Sequence, residues 1–296
     1  MRTPMLTLVC IVALFSLSTV KPQDTKTTKI IQKYLEMPHP EDASFNEARI
    51  ARMEFLAGLE AMPNDAAGAI GRVLPEVKNP RQRAELIEAL GRYSQTKESA
   101  ALLCELLKDS DENVRRQAIH GLRMMARRTN RTGAKRIIRG MDFAPKVEGL
   151  VPYLISAAGD KAEGNRVSAL YALADTRVHS AVLELRNRLS DTSERVRFYA
   201  ACFLTEYQDA TGLPEMREAL ARFRRIEPED NLDYYWQAEM LFASFERITG
   251  KSFGQTPMNP LLSSDTRQIQ STEERYKTLL DTWAQWWAWE PKDEEK

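Results

Sequence analysis

A nine-residue pattern that recurs along the chain limits its fold more than any other feature. The second position of the pattern is arginine, the fifth is apolar and the ninth is leucine, as in the segment from Val114 to Leu122. Successive copies are 31, 32, 51 and 31 residues apart, because their arginines are Arg52, Arg83, Arg115, Arg166 and Arg197. Self-similarity at such a period is typical of helical repeat proteins.

The pattern predicts an all-α solenoid built from helical hairpins. Its first, fifth, eighth and ninth positions fall on one face of a helix, and another apolar helical segment precedes most copies, as 99–107 precedes Val114. Asp109, Asp160 and Asp191 each stand five residues before a copy, where a carboxylate can stabilise a turn or cap a helix. One hairpin cannot bury its apolar stripe alone, so stacked hairpins must share a continuous core.

The composition agrees with a folded core and excludes two other classes. Apolar residues make up 43% and charged residues 28% of the 296 residues, which argues against a disordered chain. Three cysteines are too few for a disulfide scaffold. Cys104 and Cys202 would lie about three repeats apart, farther than a disulfide can reach, so we predict two buried, unpaired thiols.

The N-terminus resembles a secretion signal. Arg2 precedes an uncharged run from Leu6 to Val20, which is shorter than a typical membrane span. Small residues around Ser18 predict cleavage there, and the chain is then exported to the periplasm or secreted, with no membrane span in the mature protein. An uncleaved N-terminal anchor is the alternative.

The pattern and its surroundings suggest a division of the chain. We predict a signal peptide at 1–18, a linker and helix at 19–45, helical repeats at 46–227 with a basic insertion at about 128–146, a degenerate repeat and capping helix at 228–290, and a disordered tail at 291–296.

These motifs resemble the HEAT-repeat family. HEAT repeats carry an apolar–Arg pair in the second helix and an aspartate in the preceding turn, and the segments 106–122 and 189–204 match best. The resemblance covers about 51–220; the first two units lack the turn aspartate. It implies an α-solenoid that interacts with other proteins. Some HEAT-like proteins of the PBS-lyase type are bilin lyases, so the resemblance also admits an enzyme, although no reactive residue supports this here.

The five repeat arginines are predicted to be structural. A guanidinium can join its own helix to turn carbonyls or to the aspartate of a neighbouring unit. Recurrence in every unit favours this role over ligand binding.

A basic segment interrupts the period between the third and fourth copies. Residues 113–141 contain nine Lys or Arg and no Asp or Glu, and Arg116, His120, Arg123 and Arg127 share one helical face by spacing. The segment either recruits an anionic partner or is a solvated insert whose charges pair with acidic neighbours such as Glu85 and Glu88. Nucleic acid is disfavoured, because no aromatic residues interleave with the charges.

The third, fourth and seventh positions of each copy lie away from the core stripe and predict an inner, concave wall. This wall changes from charged residues at its start to aromatic residues farther on. The candidate partner-binding residues are Arg116, His120, Arg123, Arg127, Tyr171, Phe198, Tyr199 and Trp236. An exposed apolar strip is usually covered, either by a partner peptide or by the chain's own C-terminal helix, and we favour the C-terminal helix.

Four tryptophans lie close together near the C-terminus. Trp283, Trp286 and Trp287 fall on one helical face, which predicts a cap over the last repeat; a sugar-stacking site is the alternative.

No catalytic, cofactor or metal motif is found. His39, His120 and His179 are scattered, without a second ligand at metal spacing, and no HExxH or GxSxG is present. The leading hypothesis is therefore a non-catalytic scaffold that binds a protein or peptide along its concave face. A bilin-lyase-like enzyme and a module that binds an anionic polymer through 113–141 are the alternatives.

Overall fold

The computed structural model describes residues 26–36, 45–61, 63–93, 96–132, 149–226, 232–254 and 266–289. These residues form thirteen α-helices and contain no β-strand. The helices are α1 (Lys26–Leu35), α2 (Phe45–Ala61), α3 (Pro63–Val73), α4 (Pro80–Tyr93), α5 (Lys97–Leu106), α6 (Glu112–Thr132), α7 (Val151–Ala158), α8 (Glu163–Thr176), α9 (Ala181–Asn187), α10 (Glu194–Leu204), α11 (Leu213–Phe223), α12 (Leu232–Thr249) and α13 (Thr266–Trp289). The predicted signal peptide and basic insertion lie outside the described residues, apart from the start of the insertion in α6.

The helices form two layers, as a solenoid of hairpins requires. The even-numbered helices α2 to α12 carry the repeated pattern and lie side by side, each in contact with the next. In the other layer, α1 contacts α3, α3 contacts α5, α7 contacts α9 and α11 contacts α13. The predicted all-α solenoid is thus confirmed.

The repeated leucines form the spine of the core between the layers. All five ninth-position leucines are 0% exposed: Leu59, Leu90, Leu122, Leu173 and Leu204. Burial of one such side chain contributes about 1.5–3 kcal/mol. The ninth position of the pattern therefore marks the centre of the hydrophobic core in every unit.

The repeat arginines connect consecutive units, as Arg115 illustrates. Its Nη1 donates to the carbonyl oxygens of Asp109 and Ser110, at 2.9 and 3.0 Å, in the turn before its own helix. Its Nε and Nη2 donate to the two carboxylate oxygens of Asp160 in the next unit, at 2.6 and 3.0 Å. Both side chains are only 7% exposed, so this bidentate pair is a buried link between the third and fourth units.

The same link recurs on both sides of Arg115. Arg166 pairs with both carboxylate oxygens of Asp191, at 3.0 and 2.9 Å, and Arg83 pairs with Asp109 at 3.1 Å. Arg197 follows the scheme with a substitute acid, Glu215, at 3.1 Å. We call this series the arginine ladder. Arg52 lies on α2, but its side chain is outside the described residues.

The turn aspartates have a second role within their own units. Oδ1 of Asp109, Asp160, Asp191 and Asp209 each accepts a hydrogen bond from the backbone N–H two residues later, at 2.8–2.9 Å. At Asp109, Asp160 and Asp191 these Asx turns lie between the two helices of a unit, whereas Asp209 lies between α10 and α11, which belong to successive units. The carboxylate that shapes one turn is thus also the carboxylate that receives the preceding unit's arginine, except at Asp209, whose partner is Arg186.

Two glycines allow α4 and α6 to pack with their backbones in close contact. A Cβ placed on Gly91 would lie 2.3 Å from Cα of Gly121. Any side chain at residue 91 would therefore force the two helices apart.

The C-terminal helix α13 covers the end of the solenoid, as predicted for a cap. Trp283 is 1% exposed, and its ring centroid lies 5.0 Å from that of Phe245 and 4.7 Å from that of Phe253. The Arg217 guanidinium lies 4.1 Å from the Trp287 ring centroid. Trp283 thus belongs to the core of the last unit, and Trp286 and Trp287 pack against it.

Both described cysteines are free and buried, as predicted. Burial raises the pKa of each thiol to about 12, so both remain protonated near neutral pH.

Candidate functional site

A groove of about 620 Å³ lies on the inner layer of the described part of the chain. Helices α6, α8, α10 and α12 line it. Tyr171, Tyr199, Trp236 and Met240 form much of its apolar surface. These residues occupy third, fourth and seventh positions of the pattern, with Trp236 and Met240 in a looser copy that begins at Tyr234. These positions place them on the inner wall predicted from the sequence.

The aromatic rings of the groove contact one another across neighbouring helices. The ring centroid of Tyr171 on α8 lies 5.3 Å from that of Tyr199 and 4.7 Å from that of Phe203, both on α10. Trp236 on α12 is 55% exposed. Exposed tryptophan at a concave surface is a common anchor point in protein interfaces.

Charged side chains border the aromatic surface in pairs of opposite sign. Arg195 Nη2 lies 3.4 Å from Asp233 Oδ2, and Arg247 Nη2 lies 2.9 Å from Glu206 Oε1. Each of these arginines is thus held by a carboxylate of the same chain. The groove therefore combines an apolar floor with a polar rim, which is the usual anatomy of an interface.

Arg123 lies at one end of the groove and is held from two sides. Its Nε donates to Asp175 Oδ2 at 2.6 Å, and its Cζ lies 4.5 Å from the Tyr171 ring centroid. A cation over an aromatic ring contributes roughly 0.5–1 kcal/mol at partly exposed sites. Arg123 is thus positioned by Asp175 and Tyr171.

Burial keeps the groove tyrosines in their neutral form. Desolvation raises the pKa of Tyr171 well above its usual range, and the neighbouring Tyr199 adds to this effect. Desolvation also raises the pKa of Tyr199. Both hydroxyls therefore remain protonated at physiological pH.

A second cavity of about 290 Å³ adjoins the groove, and we call it the donor pocket. Its lining is Glu88, Arg116, Gln117, His120, Arg123 and Ser168. Arg123 and Ser168 line both cavities. Of the eight predicted contact residues, the structure therefore brings Arg116, His120 and Arg123 together here.

Burial lowers the pKa of His120 in the donor pocket. Desolvation is the main cause; Glu88 opposes it, and Arg123, Arg92 and Arg127 reinforce it. The imidazole is consequently neutral at physiological pH.

The prediction that Phe198 contacts a partner is wrong. Phe198 is 0% exposed, and its ring packs edge to face against Phe223 of α11 at 6.0 Å between centroids. The third position of the pattern in α10 faces α11, which buries it. Tyr199 lines the groove but is only 6% exposed.

The prediction that the C-terminal helix covers the aromatic wall is also wrong. Helix α13 packs against α11, and its Tyr276 donates to Oε1 of Glu239, a groove-lining residue of α12, at 2.7 Å. None of the described side chains of α13 lines the groove. The described part of α13 therefore contacts α12 beside the groove and leaves Trp236 exposed.

The described basic residues of 113–127 pair with acidic residues, but not with Glu85 and Glu88, the partners suggested by the sequence. Arg116 pairs with Glu112 at 2.8 Å, and Arg123 and Arg127 lie 2.6 and 3.8 Å from Asp175. Glu85 pairs with Arg81 and Glu88 pairs with Arg92, both on α4. Asp175 was missed because it lies at the end of α8, outside the repeated pattern.

Sequence reasoning also missed the charged rim of the groove. Arg195 precedes the pattern in α10, and Arg247 and Glu206 lie beyond it, so the repeat alignment did not include them. Their place on the inner layer depends on the packing of α12 against α10.

The described residues contain neither a candidate metal site nor a candidate membrane span. No group of three or more His, Cys, Asp or Glu side chains is arranged to hold a metal ion. None of the described helices is both long and apolar enough to cross a bilayer.

The layers, the arginine ladder and the inner groove define the chain as an α-solenoid of repeated helical hairpins. Residues 56–140 match the family model of HEAT repeats. The chain thus contains a HEAT-repeat domain, as the arginine pattern predicted. No curated protein matches the chain at a significant level.

Several solved structures are similar to this chain at low identity. A designed armadillo repeat protein in complex with the peptide (KR)4 is 15% identical, covers 75% of this chain and 100% of its own, and has a TM-score of 0.36. Escherichia coli YibA is 17% identical, with 86% and 97% coverage and a TM-score of 0.29. Human deoxyhypusine hydroxylase in complex with glycerol is 17% identical, with 86% and 96% coverage and a TM-score of 0.24. Scores this low carry no conclusion about the groove.

Proposed function

We propose that this protein is a non-catalytic scaffold whose groove binds an extended peptide segment of another protein. The observation that carries the proposal is the groove itself, an aromatic surface with a charged rim that four consecutive repeat helices line. HEAT repeats commonly act as interaction scaffolds, which agrees with this role.

The size of the groove suits a peptide. Neighbouring packed helices are roughly 8–10 Å apart, so four of them span on the order of 25–30 Å. An extended chain rises about 3.3 Å per residue and would place about eight residues along this length. A small ligand would occupy only a part of it.

The groove's chemistry supports binding more than catalysis. The Tyr171 and Tyr199 hydroxyls are held neutral by burial, and the rim arginines are paired with carboxylates of the same chain. Such groups orient a ligand and contribute contact area. The predicted signal peptide further suggests that the partner is a protein of the cell envelope or the extracellular space.

An anionic polymer has less support as the ligand. Arg115, Arg116, Arg123 and Arg127 all have carboxylate partners at 2.6–3.8 Å. A polymer would have to compete with these partners, and its binding would weaken steeply with salt. We therefore propose a peptide, and not an anionic polymer, as the ligand of the groove.

Selection from a displayed library of random peptides tests the proposal. The purified full chain should enrich a family of related sequences, and Trp236→Ala should weaken their binding by about tenfold or more, since tryptophans at interface centres contribute strongly. Leu183→Ala is the matched control, because Leu183 is a large apolar residue that is 67% exposed on α9, in the outer layer.

Three outcomes would count against the proposal. Enrichment of no sequence family would refute peptide binding, and equal weakening by both substitutions would remove the groove from it. Turnover of a substrate by the purified protein would contradict the non-catalytic role.

A further inference from the structure

We propose that the donor pocket binds a carboxylate of the partner peptide, an Asp or Glu side chain or the C-terminal carboxylate, next to apolar residues that lie in the groove. This inference rests on the proposed peptide binding and adds the chemistry of the partner.

The donor pocket contains more hydrogen-bond donors than acceptors within its described surroundings. Gln117 and His120 have no hydrogen bond to a described residue. Arg116 and Arg123 each direct a single nitrogen to a carboxylate, Glu112 and Asp175 respectively. Unused donors that converge on one cavity call for an acceptor.

Arg123 is the best placed of these donors. Asp175 receives its Nε, and Tyr171 supports the plane of the guanidinium at 4.5 Å. Both Nη atoms make no hydrogen bond with the described part of the chain. A guanidinium fixed in this way loses little further freedom when it binds a ligand, and its two Nη groups can bind both oxygens of a carboxylate.

The charge of the donor pocket favours a monoanion over a phosphate. Glu88 lines the same pocket, and His120 is neutral because burial lowers its pKa. The charges of Arg116 and Arg123 are already shared with Glu112 and Asp175. A carboxylate therefore suits the remaining positive charge better than a dianion, which Glu88 would repel about twice as strongly.

The distance between the two cavities sets the spacing within the peptide. The Arg123 guanidinium lies 4.5 Å from the Tyr171 centroid, and Tyr171 lies 5.3 Å from the Tyr199 centroid. At about 3.3 Å per extended residue, an acidic residue in the donor pocket stands about one to three positions from the apolar residue that contacts these tyrosines. The partner is thus an acidic-apolar peptide.

The test uses peptides from the library selection and their Asp→Asn or Glu→Gln forms, measured by calorimetric titration with the full chain. The neutral form of the peptide should bind about tenfold or more weakly. Gln117→Glu should weaken binding of the acidic peptide by a similar factor and leave binding of the neutral peptide nearly unchanged. Gln117→Lys should strengthen binding of the acidic peptide, and a folding defect cannot produce such a gain in affinity.

A matched control places the same charge elsewhere. Gln208→Glu introduces one negative charge at an exposed residue outside both cavities and should leave both peptides unaffected. Inorganic sulfate and heparin are added as competitors in separate titrations.

The outcomes separate this inference from the proposed function. If peptides bind through Trp236 but their acidic residue and Gln117 have no effect, the carboxylate site is refuted and peptide binding stands. If no peptide binds but heparin does, both proposals fail in favour of an anionic polymer. If sulfate alone binds, the donor pocket is an adventitious anion site.

Discussion

Removal of the Asp160 carboxylate tests the arginine ladder at its most buried link. Asp160→Ala leaves Arg115, whose side chain is 7% exposed, with only two backbone carbonyls as acceptors. Loss of one partner of a buried pair costs about 3–5 kcal/mol, and the lost Asx turn adds about 1 kcal/mol. We therefore expect the free energy of unfolding to fall by about 4–6 kcal/mol.

Asp209→Ala provides the matched control. Asp209 also forms an Asx turn, but its arginine partner, Arg186, is 49% exposed, so water can replace the lost carboxylate. Because only the arginine of this pair is exposed and remains after the substitution, we use the value for exposed pairs, about 0.2–1 kcal/mol. With the turn included, the expected loss is then about 2 kcal/mol.

Urea unfolding followed by far-ultraviolet circular dichroism measures both variants, provided that the slope of the transition is unchanged. The reasoning is refuted if Asp160→Ala destabilises the protein no more than Asp209→Ala. The double variant Arg115→Met/Asp160→Ala gives a second check. It should recover part of the loss, because no buried charge then remains unpaired.

Two further predictions concern packing and pH. Gly91→Ala should destabilise the protein by about 1–3 kcal/mol or more, measured by the same urea titration, because its Cβ would lie 2.3 Å from Gly121; Gly164→Ala, with nothing within 4 Å, should not destabilise it. Since the pKa of His120 is lowered, the unfolded chain takes up its proton first. The free energy of unfolding should therefore decline as the pH falls below about 6.5, by up to about 1.4 kcal/mol per pH unit, until the pH passes the folded-state pKa. His120→Gln should reduce this decline. An unchanged pH profile in this variant would contradict the burial argument.

The layers were predictable from the sequence because one periodic feature determines them. The leucine at the ninth position of each copy must be buried. The arginine at the second position recurs in each copy only if its contacts recur. The exposure of inner positions was harder to predict, because it depends on which neighbouring helix crosses the pattern. Phe198 occupies a nominally exposed position but meets α11, whereas Trp236 stays open because no described helix covers it.

The donor pocket could be predicted only in part. The spacing of Arg116, His120 and Arg123 already indicated a shared face, but their partners lie on other units. Asp175 decides which atoms of Arg123 remain available, and it lies 52 residues farther along the chain. Tertiary packing of α6 against α8 therefore provides the information that the local pattern lacks.

The central claim is that the inner layer of the solenoid is the binding surface. Hydrogen exchange of the full chain with and without a library-selected peptide measures this most directly. Bound peptide should slow exchange in the inner helices 163–176 and 194–204 and leave the outer helices 151–158 and 181–187 unchanged. Protection confined to the outer helices would contradict the claim.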